Sequence, residues 1–177
     1  MIKVKNKIVT FSYSITESSE FWNPNENLSR NVGNHKMKNN LEILNKKLIG
    51  QFISRFSLGD TWEMYIGNLC LSAHTIEFKE ESRITKFLQK NYSEFNFSID
   101  KEDVSKSTIM AANLRKLITR VNLDEMKNLT IEFEKGSSLK ILTNTDIVDW
   151  QWCINTSGKD PYIDYDIACF WAGEIKY

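Results

Sequence analysis

Two histidines, three cysteines and a C-terminal run of acids are the side chains in this chain that could do chemistry. Cys70 and His74 are four residues apart in an apolar run, an even step that puts both on one side of a strand. They would stand ~13 Å apart along it, whereas proton transfer needs a separation of ~3 Å. A thiolate–imidazole pair would therefore have to be built across strands, and nothing in the sequence indicates that. His74 follows Ser72-Ala73 and reads as a half-buried histidine, with a general base as the alternative. Neither His74 nor His35 has a cysteine, histidine or carboxylate at metal-ligand spacing, and there is no HxxxH or CxxC for zinc. Asp160, Asp164 and Asp166, with Glu174 further on, could be paired carboxylates or a cation site. A calcium-binding loop of the EF-hand type needs a glycine after three ligand positions and a distal glutamate, and this stretch has neither. There is no P-loop, GxGxxG or GxSxG. The reading is no catalytic residue, no cofactor, no metal and no enzyme.

The elements that must position these residues follow from periodicity. Val9, Phe11, Tyr13 and Ile15 alternate with polar residues, as in a half-buried strand. Residues 17–38 read as a long loop. Residues 40–47 fit a short helix with Leu41, Leu44 and Leu48 on one face. Leu48–Leu58, Trp62–Ile66 and Leu69–Phe78 form a meander with turns at Gly59-Asp60 and Gly67-Asn68. Helices are expected over Glu80–Asn91 and Ser105–Leu117, with a strand over Tyr92–Ile99 between them. The meander then recurs. Ile53, Arg55 and Leu58 match Ile118, Arg120 and Leu123 at a constant offset of 65. Leu129, Ile131 and Phe133 answer Trp62, Met64 and Ile66, with the later strands needing a shift of two or more. The last stretch, Ile147–Ile175, holds three of the five tryptophans and two of the three cysteines. It reads as two closing strands, Ile147–Ile154 with Trp150 and Trp152 on one face and Asp166–Trp171, joined by an acidic loop at Ser157–Asp166. Alternatively, any two meanders look alike and the repeat is fortuitous.

The bulk numbers bound the rest. A chain of 177 residues makes one domain with a real core and is short for two. The division is 1–45 for the N-terminal strand and loop, 46–100 for the first meander and helix, and 101–177 for the second meander and closing strands. The expected fold is α+β: a mostly antiparallel, twisted β-sheet from two related β-meanders, with two or three helices packed on one face. Three cysteines, Cys70, Cys153 and Cys169, each in an apolar run, read as buried free thiols rather than a disulfide framework. No signal peptide and no apolar run near the ~18 residues of a membrane span are visible, so the cytoplasm is the expected location. Net charge is zero, which gives no general attraction to nucleic acid or anionic membrane. It is unevenly spread: residues 1–60 carry nine bases and five acids, a balance of +4, and residues 141–177 carry two and six, a balance of −4.

Leu48, Gly50, Ile53 and Phe56, then Leu117, Ile118, Val121, Phe133 and Gly136, then Trp150 or Trp152, Gly158 and Gly173-Glu174-Ile175, form a pattern over residues 45–176. It resembles a bacterial domain family found among the immunity proteins of polymorphic toxin and contact-dependent growth inhibition systems. The chain departs from it in lacking a glycine at the second-repeat position of Gly50, and in having Ala172-Gly173 where paired glycines belong. The resemblance implies a cytoplasmic protein that binds a cognate toxin C-terminal domain, often a nuclease, one to one and blocks it without turnover.

Nuclease sites are basic because they hold phosphate, so aspartates presented to such a site attract it at long range. Aromatic anchors beside them would supply the desolvated centre. The candidate toxin-binding residues are therefore Asp160, Tyr162, Asp164, Tyr165, Asp166, Trp171 and Glu174. Competing readings are a small enzyme using His74 plus a carboxylate, and a structural or adaptor subunit that oligomerises through its sheet edges.

Overall fold

Leu129, Ile131 and Phe133 are buried while Thr130 and Glu132 between them are not, a period of two that recurs in Trp62–Ile66 and Ser138–Ile141, whereas residues 150–155 are buried at every position. The structure, a computed structural model, describes residues 37–92, 101–143, 146, 149–156, 158–160 and 162–177. The expected strand at Val9–Ile15, the loop of 17–38 up to residue 36, His35 and the strand expected over 93–99 lie outside the described residues. So do Ile147, Ser157 and Pro161.

The fold is α+β, with three helices and ten antiparallel strands among the described residues. Helix α1 spans 37–48. A meander follows: β1 (Ile53–Leu58), β2 (Trp62–Ile66) and β3 (Leu69–Ala73). Then come β4 (Ile76–Phe78), α2 (Glu81–Asn91) and α3 (Lys101–Asn113). The second meander is β5 (Ile118–Leu123), β6 (Leu129–Phe133) and β7 (Ser138–Ile141), and the chain ends with β8 (Trp150–Thr156), β9 (Tyr165–Phe170) and β10 (Glu174–Lys176). Ten strands divide into two sheets, ordered β1-β2-β3-β8-β9-β10 and β4-β7-β6-β5. The run Leu69–Phe78, expected as one strand, breaks at His74-Thr75 and passes from one sheet to the other.

The repeat at offset 65 is built into the backbone. Gly50 N–H donates to Ile118 C=O at 2.9 Å, and Arg115 N–H donates to Ile53 C=O at 3.0 Å. Adding 65 to 50 gives 115, and adding 65 to 53 gives 118, so each bond is the other's mate with the repeats exchanged. The antiparallel bridge Phe52–Leu117 joins a residue to its own equivalent, which places an approximate two-fold axis there. Both first strands carry a register shift at the same place, Ile53/Arg55 and Ile118/Arg120. Burial in the helices also repeats: Asn40, Leu44 and Leu48 of α1 answer Ser105, Ile109 and Asn113 of α3. One apolar core takes residues from both sheets and from α1 and α3.

The fourth strand of each repeat is exchanged. β4 leaves the first meander and pairs with β7 of the second, while β8 leaves the second and pairs with β3 of the first. Ala73 faces Trp152 as Ile141 faces Ile76.

The glycine missing from the second repeat has a structural answer. Gly50 turns the chain at φ 78°, and Arg115 takes the same left-handed conformation at φ 64°. A residue with a Cβ bears about 1–2 kcal/mol there, against about 0.5–1 kcal/mol of extra chain entropy for glycine. Arg115→Gly is therefore expected to stabilise the protein by roughly 0.5–1 kcal/mol, and Gly50→Ala to destabilise it. Urea midpoints of the two variants check this, and opposite signs are required. No helix among the described residues is long and apolar enough to cross a membrane.

Candidate functional site

Trp150 and Trp152, two residues apart, do not share a face. A register shift between them in the β8–β9 pairing inserts an extra residue. Trp152 enters the main core, fully buried, and its indole N–H donates to Lys127 C=O at 3.2 Å. Trp150 joins a second apolar cluster with Cys153 and Ala168, with Tyr165 and Phe170 packed at its margin. It is also the seat of the acidic loop.

That loop is a knob built on backbone bonds. Lys159 N–H donates to Thr156 C=O at 3.0 Å, and the Asn155 amide donates to Lys159 C=O at 2.7 Å. The Asp160 carboxylate accepts from Tyr162 N–H at 2.9 Å, and its carbonyl accepts from Ile163 N–H at 3.2 Å and Asp164 N–H at 2.8 Å. Aspartate caps a turn this way by replacing the missing backbone acceptor. Tyr162 then sets its ring against Trp150, edge on, with centroids 5.9 Å apart. Partial burial, and after it the Asp149 carboxylate, raise the Tyr162 phenol above its ordinary value. Asp149 is fixed in turn, accepting from Trp150 N–H at 2.7 Å through its carboxylate and from Trp171 N–H at 2.8 Å through its carbonyl.

The seven candidate residues separate into groups. Asp160, Tyr162 and Asp164 share the knob and are exposed, with Asp164 3.8 Å from the Lys159 ammonium. Tyr165 turns back onto Phe170, ring centroids 5.7 Å apart, and belongs to the second cluster. Asp166 is bonded to Lys47 of α1 at 2.7 Å, which ties β9 to the first helix. Trp171 and Glu174 lie at the β9–β10 turn, both exposed, with Glu174 3.3 Å from Lys176. The sequence reading missed Ile163, which at 78% is the most exposed large apolar residue among those described. An isoleucine between Tyr162 and Asp164 in an Asp-rich turn has no strand to bury it, and that was the available signal.

His74 also packs on Trp150, ring centroids 4.5 Å apart. Its Nε2 is buried without a hydrogen-bond partner. Burial lowers its pKa from 6.5, and Asp149 opposes this. An imidazole of this kind binds its proton more readily in the unfolded chain. The stability it contributes is full above pH 6.5 and falls as the pH drops below that value. His74→Gln is expected to flatten the loss of stability as the pH falls below 6.5, measured as urea midpoints.

All three cysteines are free and buried. Burial pushes the Cys153 and Cys169 thiols up to about 12, which keeps them protonated and unreactive. Among the described residues no three His, Cys, Asp or Glu side chains are grouped to hold a metal ion. What the arrangement offers is a stiff, exposed surface with two apolar side chains between two carboxylates. No family model, curated protein or solved structure matches this chain.

Proposed function

We propose that this chain is an immunity-type inhibitor: a cytoplasmic protein that binds a cognate toxin domain one to one and blocks a basic, phosphate-handling active site. The observation that carries the reading is the knob. Tyr162 and Ile163 are 57% and 78% exposed, lie between Asp160 and Asp164, and are held by the backbone bonds of the turn. A surface already ordered before binding loses little entropy on association. Its carboxylates would steer it to a basic cleft, and its two apolar side chains would supply the desolvated centre.

The test is co-expression with the toxic domain encoded immediately upstream of this chain's gene, followed by co-purification. Growth rescue with a one-to-one complex supports the reading. Growth arrest in the presence of the chain, with no complex recovered, overturns it. Within the complex, Asp164→Lys is expected to slow association about 10- to 100-fold at low salt, with the difference shrinking as salt rises. Stopped-flow mixing over a salt series measures it. An effect confined to dissociation would remove the steering role.

A further inference from the structure

Helix α2 presents the wrong side chains to the sheet it stands over. Ser82, Thr85, Lys86 and Gln89, spaced i, i+3, i+4 and i+7, line a groove shared with the four-stranded sheet. A helix covering a sheet places apolar residues in that stripe. Here α2 has no buried residue at all. The sheet answers in kind. Leu139 and Ile141 of β7 go to the core, so Ser138 and Lys140 face the groove, and Thr130 and Glu77 flank Lys140 in register on β6 and β4.

Two polar faces are thus held apart around a volume of about 830 Å³. The support comes from α3: Thr85 and Ser105 hydroxyls bond at 2.6 Å, and Lys106 lies between Glu81 and Glu102. The Lys106 side chain is nearly nine-tenths buried, with each carboxylate at 3.6 Å, and it lines the groove.

We propose that this groove binds a small, neutral, polyhydroxylated ligand of the mono- to trisaccharide class. The size suits it, since ligand sites run from about 300 to 1,000 Å³. The charge pattern selects it. Four lysines and three glutamates line the groove, with Lys106 between Glu81 and Glu102 and Lys140 beside Glu77, so neither sign of charge dominates it and neither an anion nor a cation is strongly favoured. Sugar hydroxyls both donate and accept, and use the two kinds of group together with the threonine and serine hydroxyls. The groove is separate from the knob, so the proposal stands or falls independently of toxin binding.

The experiment is an amide NMR titration of the full chain with D-glucose, N-acetylglucosamine and maltotriose, with sodium pyrophosphate as the charged control. Each is carried to about 50 mM, where a millimolar site saturates. The expected result is saturable shifts at Thr75, Thr85, Thr130 and Ser138 with at least one sugar, weakened about tenfold by Lys106→Met. Ser138→Val, half-buried on the groove face of the sheet and outside the α2–α3 support, is expected to weaken binding as well. No saturable shift from any sugar overturns the proposal. Saturation by pyrophosphate alone overturns the neutral class, and sugar shifts unchanged in both variants overturn the site.

Discussion

Trp152→Ala is expected to destabilise the protein by about 3–5 kcal/mol, the largest effect of any single replacement proposed for this chain. The side chain is fully buried in the main core. Its strand neighbours are Ala73 and Cys169, both small and both themselves fully buried, so no large side chain stands opposite to fill the space. The indole N–H also holds Lys127 C=O at 3.2 Å, in the turn between β5 and β6. Alanine would leave a cavity and break the link between the two sheets at this point. Trp152→Phe separates the two contributions: it keeps most of the volume and loses the donor, and should cost about 1–2 kcal/mol. Urea denaturation followed by far-UV circular dichroism measures both. A loss below 1 kcal/mol for the alanine variant would mean that the core does not close around this ring.

The second large effect concerns binding. In the proposed complex, Ile163→Asp is expected to weaken affinity for the toxin domain about 100- to 1,000-fold, in line with the loss of a central anchor. The same change should leave the urea midpoint within about 0.5 kcal/mol of the parent, because a residue 78% exposed contributes little to the core. Tyr162→Ala is expected to weaken binding too, with a small loss of stability, since its ring packs on Trp150. Asp166→Ala serves as the contrast. Its carboxylate already bonds Lys47, so it should affect stability and spare affinity. Isothermal titration of the three variants against the toxin domain decides the matter. Equal affinity for Ile163→Asp and the parent would move the binding surface away from the knob.

The strands were legible in the sequence because alternation reports which side chains are buried, and the core uses that alternation directly. The helices at 37–48 and Glu81–Asn91 fall within about three residues of the expected ones, although the second buries none of its side chains, and the third, Lys101–Asn113, starts and ends four residues before the expected Ser105–Leu117. What alternation does not report is which strand pairs with which. Nothing at Ala73-His74-Thr75 marks the change of sheet, since no glycine or proline stands there, and the exchange of β4 and β8 left no local trace. Trp150 and Trp152 illustrate a second limit. Their i, i+2 spacing predicts one face, and a single inserted residue in the pairing separates them. At the candidate site the aspartates and turn residues located the knob. The bond between Asp166 and Lys47 spans 119 residues of chain, beyond the reach of any local pattern.

The exchanged strands have a consequence for how the chain reaches its folded state. Ala73 and Trp152 face each other across β3 and β8, and 152 minus 73 is 79 residues of separation. Closing a loop of that length costs entropy before the pairing returns any stabilisation, and high contact order slows folding. Neither repeat can complete its four-stranded unit from its own residues, so the halves are not independent folding units despite their shared pattern. Unfolding should accordingly be one cooperative event, with no stage at which one repeat persists while the other is lost. The exchange of strands that joins the two similar halves is also what prevents either from standing alone.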